Sequence, residues 1–243
     1  MKLVIIRHGD PNYELDSLTE RGFMEAELLS EKVKGMDVSA FYCSPLGRAV
    51  ATAKPTLEKM GRKAEILDWL REFPIQIKGK DGNPEPGCCW DWLPASWTAV
   101  PEFFDKDKWM NVPIFKEAGV PEMYKYVCNG LDELLKKHGY TRDGLIYRAV
   151  KPNEDTIVLF CHFGLECVLL SHILNISPLT LWHGTCAAPT SVTTLVTEER
   201  REGFAYFRMG SFGDTSHLYI KGVEPAFAAR FCETYYRIDQ RHD

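Results

Sequence analysis

The sequence predicts an α/β fold: a three-layer sandwich with a mostly parallel central sheet and an inserted cap or lid segment. Three observations carry this expectation. Short β-branched apolar runs alternate with helix-length amphipathic segments, the pattern of strand–helix–strand units. Two of the runs, the four apolar residues within 2–7 and residues 156–161, read as buried strands. Between them, residues 73–121 break the alternation, being rich in proline and holding Trp90, Trp92, Trp97 and Trp109 without a long periodic segment. A chain of 243 residues suffices for one large domain with an insertion. The expected organisation is a single domain over 1–243, with the lid at about 73–121.

The elements follow in order. Residues 2–7 form the first strand, and 10–17, with Pro11 and Asn12, a loop. Thr19 is the expected N-cap of a helix that runs to about Lys34 and closes at Gly35. Phe23, Ala26, Leu29 and Val33 fall on one face of it. Residues 40–43 make a second strand. Ser44-Pro45 reads as an N-cap and first-turn pair for a helix over about 46–60, with Arg48 in its first turn. Residues 63–67 suggest a third strand. After the insert come a helix over about 122–138, the strand 156–161, a helix over about 164–174, and two strands at 191–197 and 204–209 joined as a hairpin.

Composition narrows the function. The net charge is −5, so no general basic field exists to hold nucleic acid or an anionic membrane. An anionic substrate must be caught by a few local cations. The eight cysteines lack CxxC spacing and read as free thiols in a reducing cytoplasm. The four-residue apolar run near the N-terminus is too short for a signal-peptide core, and no segment reaches membrane-spanning length. A cytoplasmic location is expected.

Two buried strands end alike, in a histidine with a glycine one or two residues on: His8-Gly9 and His162-Phe163-Gly164. Ligands of open α/β sheets bind at the carboxyl ends of strands, so these histidines can face one another across a crevice. Arg48 joins them if its preceding strand lies alongside. Helix N-termini at residues 45 and 164 would aim N–H groups at the same spot. The set suits a phosphoryl group. Arginine matches phosphate oxygens with a planar, permanently charged fork. Neutral imidazole is a competent nucleophile if a backbone carbonyl holds its other nitrogen protonated. An alkoxide leaving group then needs an acid. Cys88-Cys89 reads as packing. Glu166, one helical turn from His162, reads as a solvent-facing glutamate and not as half of a metal pair. His217 is expected to be structural.

Several motifs carry a resemblance. Arg7-His8-Gly9, Leu18-Thr19-x-x-Gly22, Ser44-Pro45-Leu46-x-Arg48-Ala49-x-x-Thr52-Ala53, His162-x-Gly164, Ser191-Val192-Thr193 and His217-Leu218 resemble the histidine phosphatase (phosphoglycerate mutase-like) superfamily, over roughly 1–72 and 155–220. The resemblance implies hydrolysis of a small phosphorylated metabolite through a phosphohistidine on His8, with no cofactor and no metal. It implies phosphate binding by Arg7, Arg48 and His162. Glu72 is the implied acid, and Asp10 and Asn12 are further candidates. A phosphoglycerate-type mutase, a protein phosphatase and a non-catalytic phospho-ligand binder are the alternatives, and a homodimer is left open. The chain departs from the family at Glu14, where many members have asparagine, and in Phe163, which separates His162 from its glycine. A mutase needs extra cations over the site, and residues 73–121 offer Lys78, Lys80, Lys106, Lys108 and Lys116 but no arginine.

Overall fold

The computed structural model describes residues 1–227, 230 and 232–240. The first half holds β1 (Lys2–Arg7), a small ribbon of β2 (Pro11–Asn12) and β3 (Ser17–Leu18), α1 (Glu20–Val33), β4 (Ala40–Cys43), α2 (Gly47–Met60) and β5 (Ala64–Ile66). The insert contains the ribbon β6 (Gln76–Ile77) and β7 (Gly87–Cys88), then α3 (Pro94–Thr98) and α4 (Pro113–Glu117). There follow α5 (Val120–Lys137), β8 (Tyr140–Asp143), β9 (Ile146–Ala149), β10 (Thr156–Cys161), α6 (Phe163–Leu174), α7 (Pro178–Gly184), β11 (Val192–Arg201), β12 (Phe204–Asp214) and α8 (Ser216–Tyr219).

The main sheet has eight strands in the order β5-β4-β10-β1-β11-β12-β9-β8. From β5 to β1 neighbours are parallel, and beyond β1 they are antiparallel. Alternation within β1 sends Leu3 and Ile5 to one face and Val4 and Ile6 to the other. On the first face they join a core with α5, α6 and α7, and on the second they pack with Leu29 and Val33 of α1 and Ala49 and Ala53 of α2. Helices on both faces make the central sheet the middle of three layers. In the parallel half, register pairs Arg7 with Cys161 and Phe160 with Cys43. The carboxyl ends of β1, β10 and β4 therefore finish side by side, which brings His8, His162 and Ser44 together.

The insert is rooted in this core. Phe73, Phe103, Trp109 and Phe115 are fully buried in the same cluster as Leu3 and Ile5. Trp109 meets Trp182 of α7 and Tyr124 of α5 edge-on, at ring distances of 5.9 and 5.0 Å.

Some local expectations change. Thr19 caps α1 by accepting the Gly22 amide, but Phe23 is 49% exposed, and the buried face runs through Gly22, Ala26, Leu29 and Val33. Helix α2 starts at Gly47, with no side-chain cap at Leu46. The hairpin β8–β9 and helix α7 escaped the sequence reading. The first is short and polar at the sheet edge, and the second is a single two-turn segment. Among the described residues, no helix is long and apolar enough to cross a membrane.

Candidate active site

The nucleophile candidate lies at the end of β1. His8 is 2% exposed, and its Nδ1 lies 2.8 Å from the Gly9 carbonyl. A carbonyl only accepts, so Nδ1 is the protonated nitrogen and Nε2 keeps its lone pair. Burial and the neighbouring Arg7 charge push the imidazole well below its usual range, so it is neutral. Thr52 fixes the glycine that follows. Its hydroxyl donates to the Arg48 carbonyl at 2.7 Å and accepts the Gly9 amide at 2.9 Å. A side chain at Gly9 would strike the Gly22 carbonyl at 2.8 Å. On the other side, the Thr190 amide donates to the His8 carbonyl at 3.1 Å. Thr190 is buried at φ 59°, a left-handed conformation costly for a β-branched residue, and its hydroxyl is 3.0 Å from His217 Nε2.

His162, fully buried, faces His8 with ring centroids 5.1 Å apart. Its Nε2 is 2.8 Å from the Ser44 hydroxyl, which already accepts the Leu46 amide. His162 Nδ1 has no partner among the described residues. Burial, then His8, Arg48 and Arg7, hold this imidazole neutral as well.

The two arginines are held differently. Arg7 is 5% exposed, and Nη1 donates to the Ala187 carbonyl at 2.6 Å. Arg48 Nη1 donates to Asp16 Oδ1 at 2.7 Å, while Asp16 Oδ2 accepts the Gly47 amide at 2.7 Å. Partial burial would raise the pKa of Asp16, but the bonds from Gly47 and Arg48 hold it below the usual carboxylate value. The N-terminus of α2 thus points at Asp16.

The same holds for α6. Glu72 accepts the Leu165 amide at 2.9 Å and the Gly164 amide at 3.4 Å. A Cβ on Gly164 would come within 2.7 Å of Glu72 Oε1 and 2.9 Å of Trp90 Nε1, so this position has room only for glycine. Burial raises the Glu72 pKa, against the pull of its amide donors and of Arg7 and Arg48. Both helix N-termini are therefore occupied by carboxyl groups.

The further candidates have local partners. Asp10 Oδ2 accepts the Thr19 hydroxyl at 2.7 Å, and Asn12 Oδ1 accepts the Leu15 amide at 3.1 Å, a turn contact. The structure brings together His8, Arg7, Arg48, His162 and Glu72 and ties Asp10 and Asn12 into the β2–β3 ribbon. Sequence reasoning missed Asp16, the Ser44–His162 contact, Thr190 and the burial of Glu166. The left-handed Thr190 and the partner of Asp16 leave no mark in the sequence. Among the described residues, no group of three or more His, Cys, Asp or Glu side chains could hold a metal.

The fold is that of the histidine phosphatases. A phosphoserine phosphatase from Entamoeba histolytica, solved with phosphoserine, is similar with a TM-score of 0.59 and 20% identity over 89% of this chain and 98% of that one. A mycobacterial glucosyl-3-phosphoglycerate phosphatase solved with VO3 has a TM-score of 0.57 and 18% identity, over 88% of this chain and 99% of that one. At these identities the likeness is one of fold. In sequence, residues 3–98 match the model of the histidine phosphatase superfamily (branch 1). A 2,3-bisphosphoglycerate-dependent phosphoglycerate mutase from Thermoplasma acidophilum is 28% identical over 91 residues, 33% of this chain and 46% of the relative. The match thus spans about half the length of that curated relative. The chain thus shares the fold of these phosphatases, and its N-terminal part, residues 3–98, is similar to the histidine phosphatase superfamily.

Proposed function

We propose that this protein is a phosphomonoester hydrolase that acts on a small phosphorylated metabolite through a phosphohistidine at His8. The observation that carries this reading is the 2.8 Å contact of His8 Nδ1 with the Gly9 carbonyl, which leaves a neutral imidazole with Nε2 as its nucleophilic atom. Nε2 attacks phosphorus as the ester P–O bond breaks. Arg7, Arg48 and His162 receive the charge on the non-bridging oxygens. Glu72, its proton favoured by burial, gives that proton to the leaving alkoxide. Its carboxylate then takes a proton from water as water attacks the phosphohistidine. Phosphate departs, and the Nε2 lone pair returns.

Similar folds named as phosphatases of phosphoserine and of glucosyl-3-phosphoglycerate support a small metabolite as substrate. Trp90, against Gly164 and Glu72, would wall the leaving-group side. Hydrolysis is favoured over the mutase reaction because three of the insert's five lysines have acidic partners of their own. Lys80 pairs with Asp81 at 2.9 Å, Lys106 with Asp107 at 2.7 Å and Lys108 with Asp105 at 3.5 Å. The test is phosphate release from a panel of phosphoesters with chelator present, for wild type and His8→Ala. Turnover lost in His8→Ala, with a phosphoenzyme trapped by alkaline quench in wild type only, is the expected result. Oxyanion binding without turnover on any ester would overturn the hydrolase reading.

A further inference from the structure

Glu166 has no part in the reaction derived above. It lies on α6 one turn beyond His162 and is fully buried, not solvent-facing as its spacing suggested. Neither carboxyl oxygen makes a well-formed hydrogen bond to a described residue, although the Thr193 hydroxyl stands beside it. The charges acting on it are Arg7 of β1 and Glu72 ahead of the insert, and the thiols of Cys161 and Cys167 are its other titratable neighbours. Among the described residues, no group of α5 or α7 acts on it.

A buried carboxylate without strong donors is costly, so its ionised form depends on the Thr193 hydroxyl and on the Arg7 charge. A bound phosphoryl group would draw on the same guanidinium. Ionised Glu166 offsets part of the Arg7 charge and repels an incoming dianion. Protonated Glu166 no longer competes with the ligand for the Arg7 charge. We propose that Glu166 is a positioning residue of the phosphoryl site, acting through Arg7, and that oxyanion binding drives uptake of one proton from solvent onto its buried carboxyl. This rests on the reading of Arg7, Arg48 and His162 as an oxyanion pocket.

The surroundings suit such a device. Burial pushes the Glu166 carboxyl up to about 7, so both of its forms exist near neutral pH. Cys161 and Cys167 are pushed by burial well above the usual thiol value, and His8 and His162 well below the usual imidazole value, so all four stay neutral there. Glu72, also raised by burial, is the neighbour that needs a control.

Sulfate is the probe, because it remains a dianion from about pH 6 to about pH 8.5 and any proton taken up goes to the protein. Titration calorimetry in two buffers of different ionisation heat counts that proton. Wild type is expected to take up a substantial fraction of one proton near pH 7.5. Its sulfate affinity is expected to fall on the order of tenfold from pH 6 to pH 8.5, an ordinary size for coupled sites. Glu166→Gln should bind with a flat pH profile and no uptake, while Glu72→Gln keeps both. Sulfate binding by wild type without proton uptake, or an unchanged profile in Glu166→Gln, would overturn the proposal. Absence of sulfate binding at every pH would overturn the pocket reading and this proposal with it. If Glu166→Gln fails to fold, the infrared difference spectrum of wild type decides. Sulfate added near pH 8 should convert a carboxylate band into a carboxylic-acid band in wild type and in Glu72→Gln, and a spectrum without that conversion counts against the proposal.

Discussion

The carboxyl of Glu72 accepts the Leu165 amide at 2.9 Å and so closes the N-terminus of α6 from 93 residues away in the chain. Its amide donors favour the ionised form and burial favours the neutral one, and burial prevails. A group so balanced can lose and regain a proton. Glu72→Gln is expected to lower kcat on alkyl phosphates by roughly 10²–10⁴-fold, the usual worth of a positioned acid. Aryl phosphates, with better leaving groups, should lose far less. Because glutamine can still accept the Leu165 amide, the stability cost should stay below about 1 kcal/mol. Steady-state kinetics on both esters, with thermal unfolding, check this, and an equal loss on both would remove Glu72 from the proton-donor role.

Gly164→Ala tests the same corner without replacing a titrating group. The new methyl would meet Glu72 Oε1 at 2.7 Å and Trp90 Nε1 at 2.9 Å. Glu72 can yield more easily than the indole, so the acid is displaced. The expected kinetic pattern is that of Glu72→Gln, with sulfate affinity retained and about 1–3 kcal/mol of stability lost to overpacking. Wild-type kinetics in this variant would mean that the contact is soft.

Asp16→Ala removes both the cap of α2 and the anchor of Arg48. A loss of about 0.5–2 kcal/mol follows from the cap. Because Arg48 loses its orientation, kcat/KM should fall by about tenfold. Asp16→Asn, which retains an acceptor, should recover part of each. Denaturant unfolding and kinetics on one ester are sufficient.

Burial of Glu166 makes stability depend on pH, and the sign is set by where the proton sits. Its pKa in the folded protein is pushed up to about 7, above the ordinary glutamate value of 4.5, so between these values the folded state holds more protons than the unfolded one. Stability should therefore be full below about pH 4.5 and decline as pH rises through 7, by at most about 3 kcal/mol from this group. Glu166→Gln should lose that slope and gain stability relative to wild type above pH 7. Urea unfolding across pH gives the comparison, and parallel curves for the two proteins would contradict it.

Much of this site is legible in the chain itself. His8 and His162 stand where buried strands end, and in a parallel sheet those ends converge. Arg48 follows a strand by a fixed few residues, and Thr19 marks a helix start by a local cap. Glu166 departs from its sequence expectation for a definite reason. Helix α6 is apolar nearly all round and buried from Phe163 to Ser171, so it has no polar stripe to say which way a single acid faces. The sequence context of Ser44 is that of a cap, yet its hydroxyl also engages His162, 118 residues away.

The sequence by itself determined the α/β class, the strand-end histidines and the arginines beside them, because periodicity, capping and strand termini are written within a few neighbouring residues. Only the tertiary structure decided which carboxyl closes which helix, which nitrogen of His8 carries its proton, and that Glu166 is buried within the field of Arg7. These depend on burial and on partners tens of residues distant: Asp16 meets Arg48 across 32 positions and Glu72 meets Leu165 across 93. Protonation follows the local dielectric and the nearest charge, and both exist only once the layers have packed.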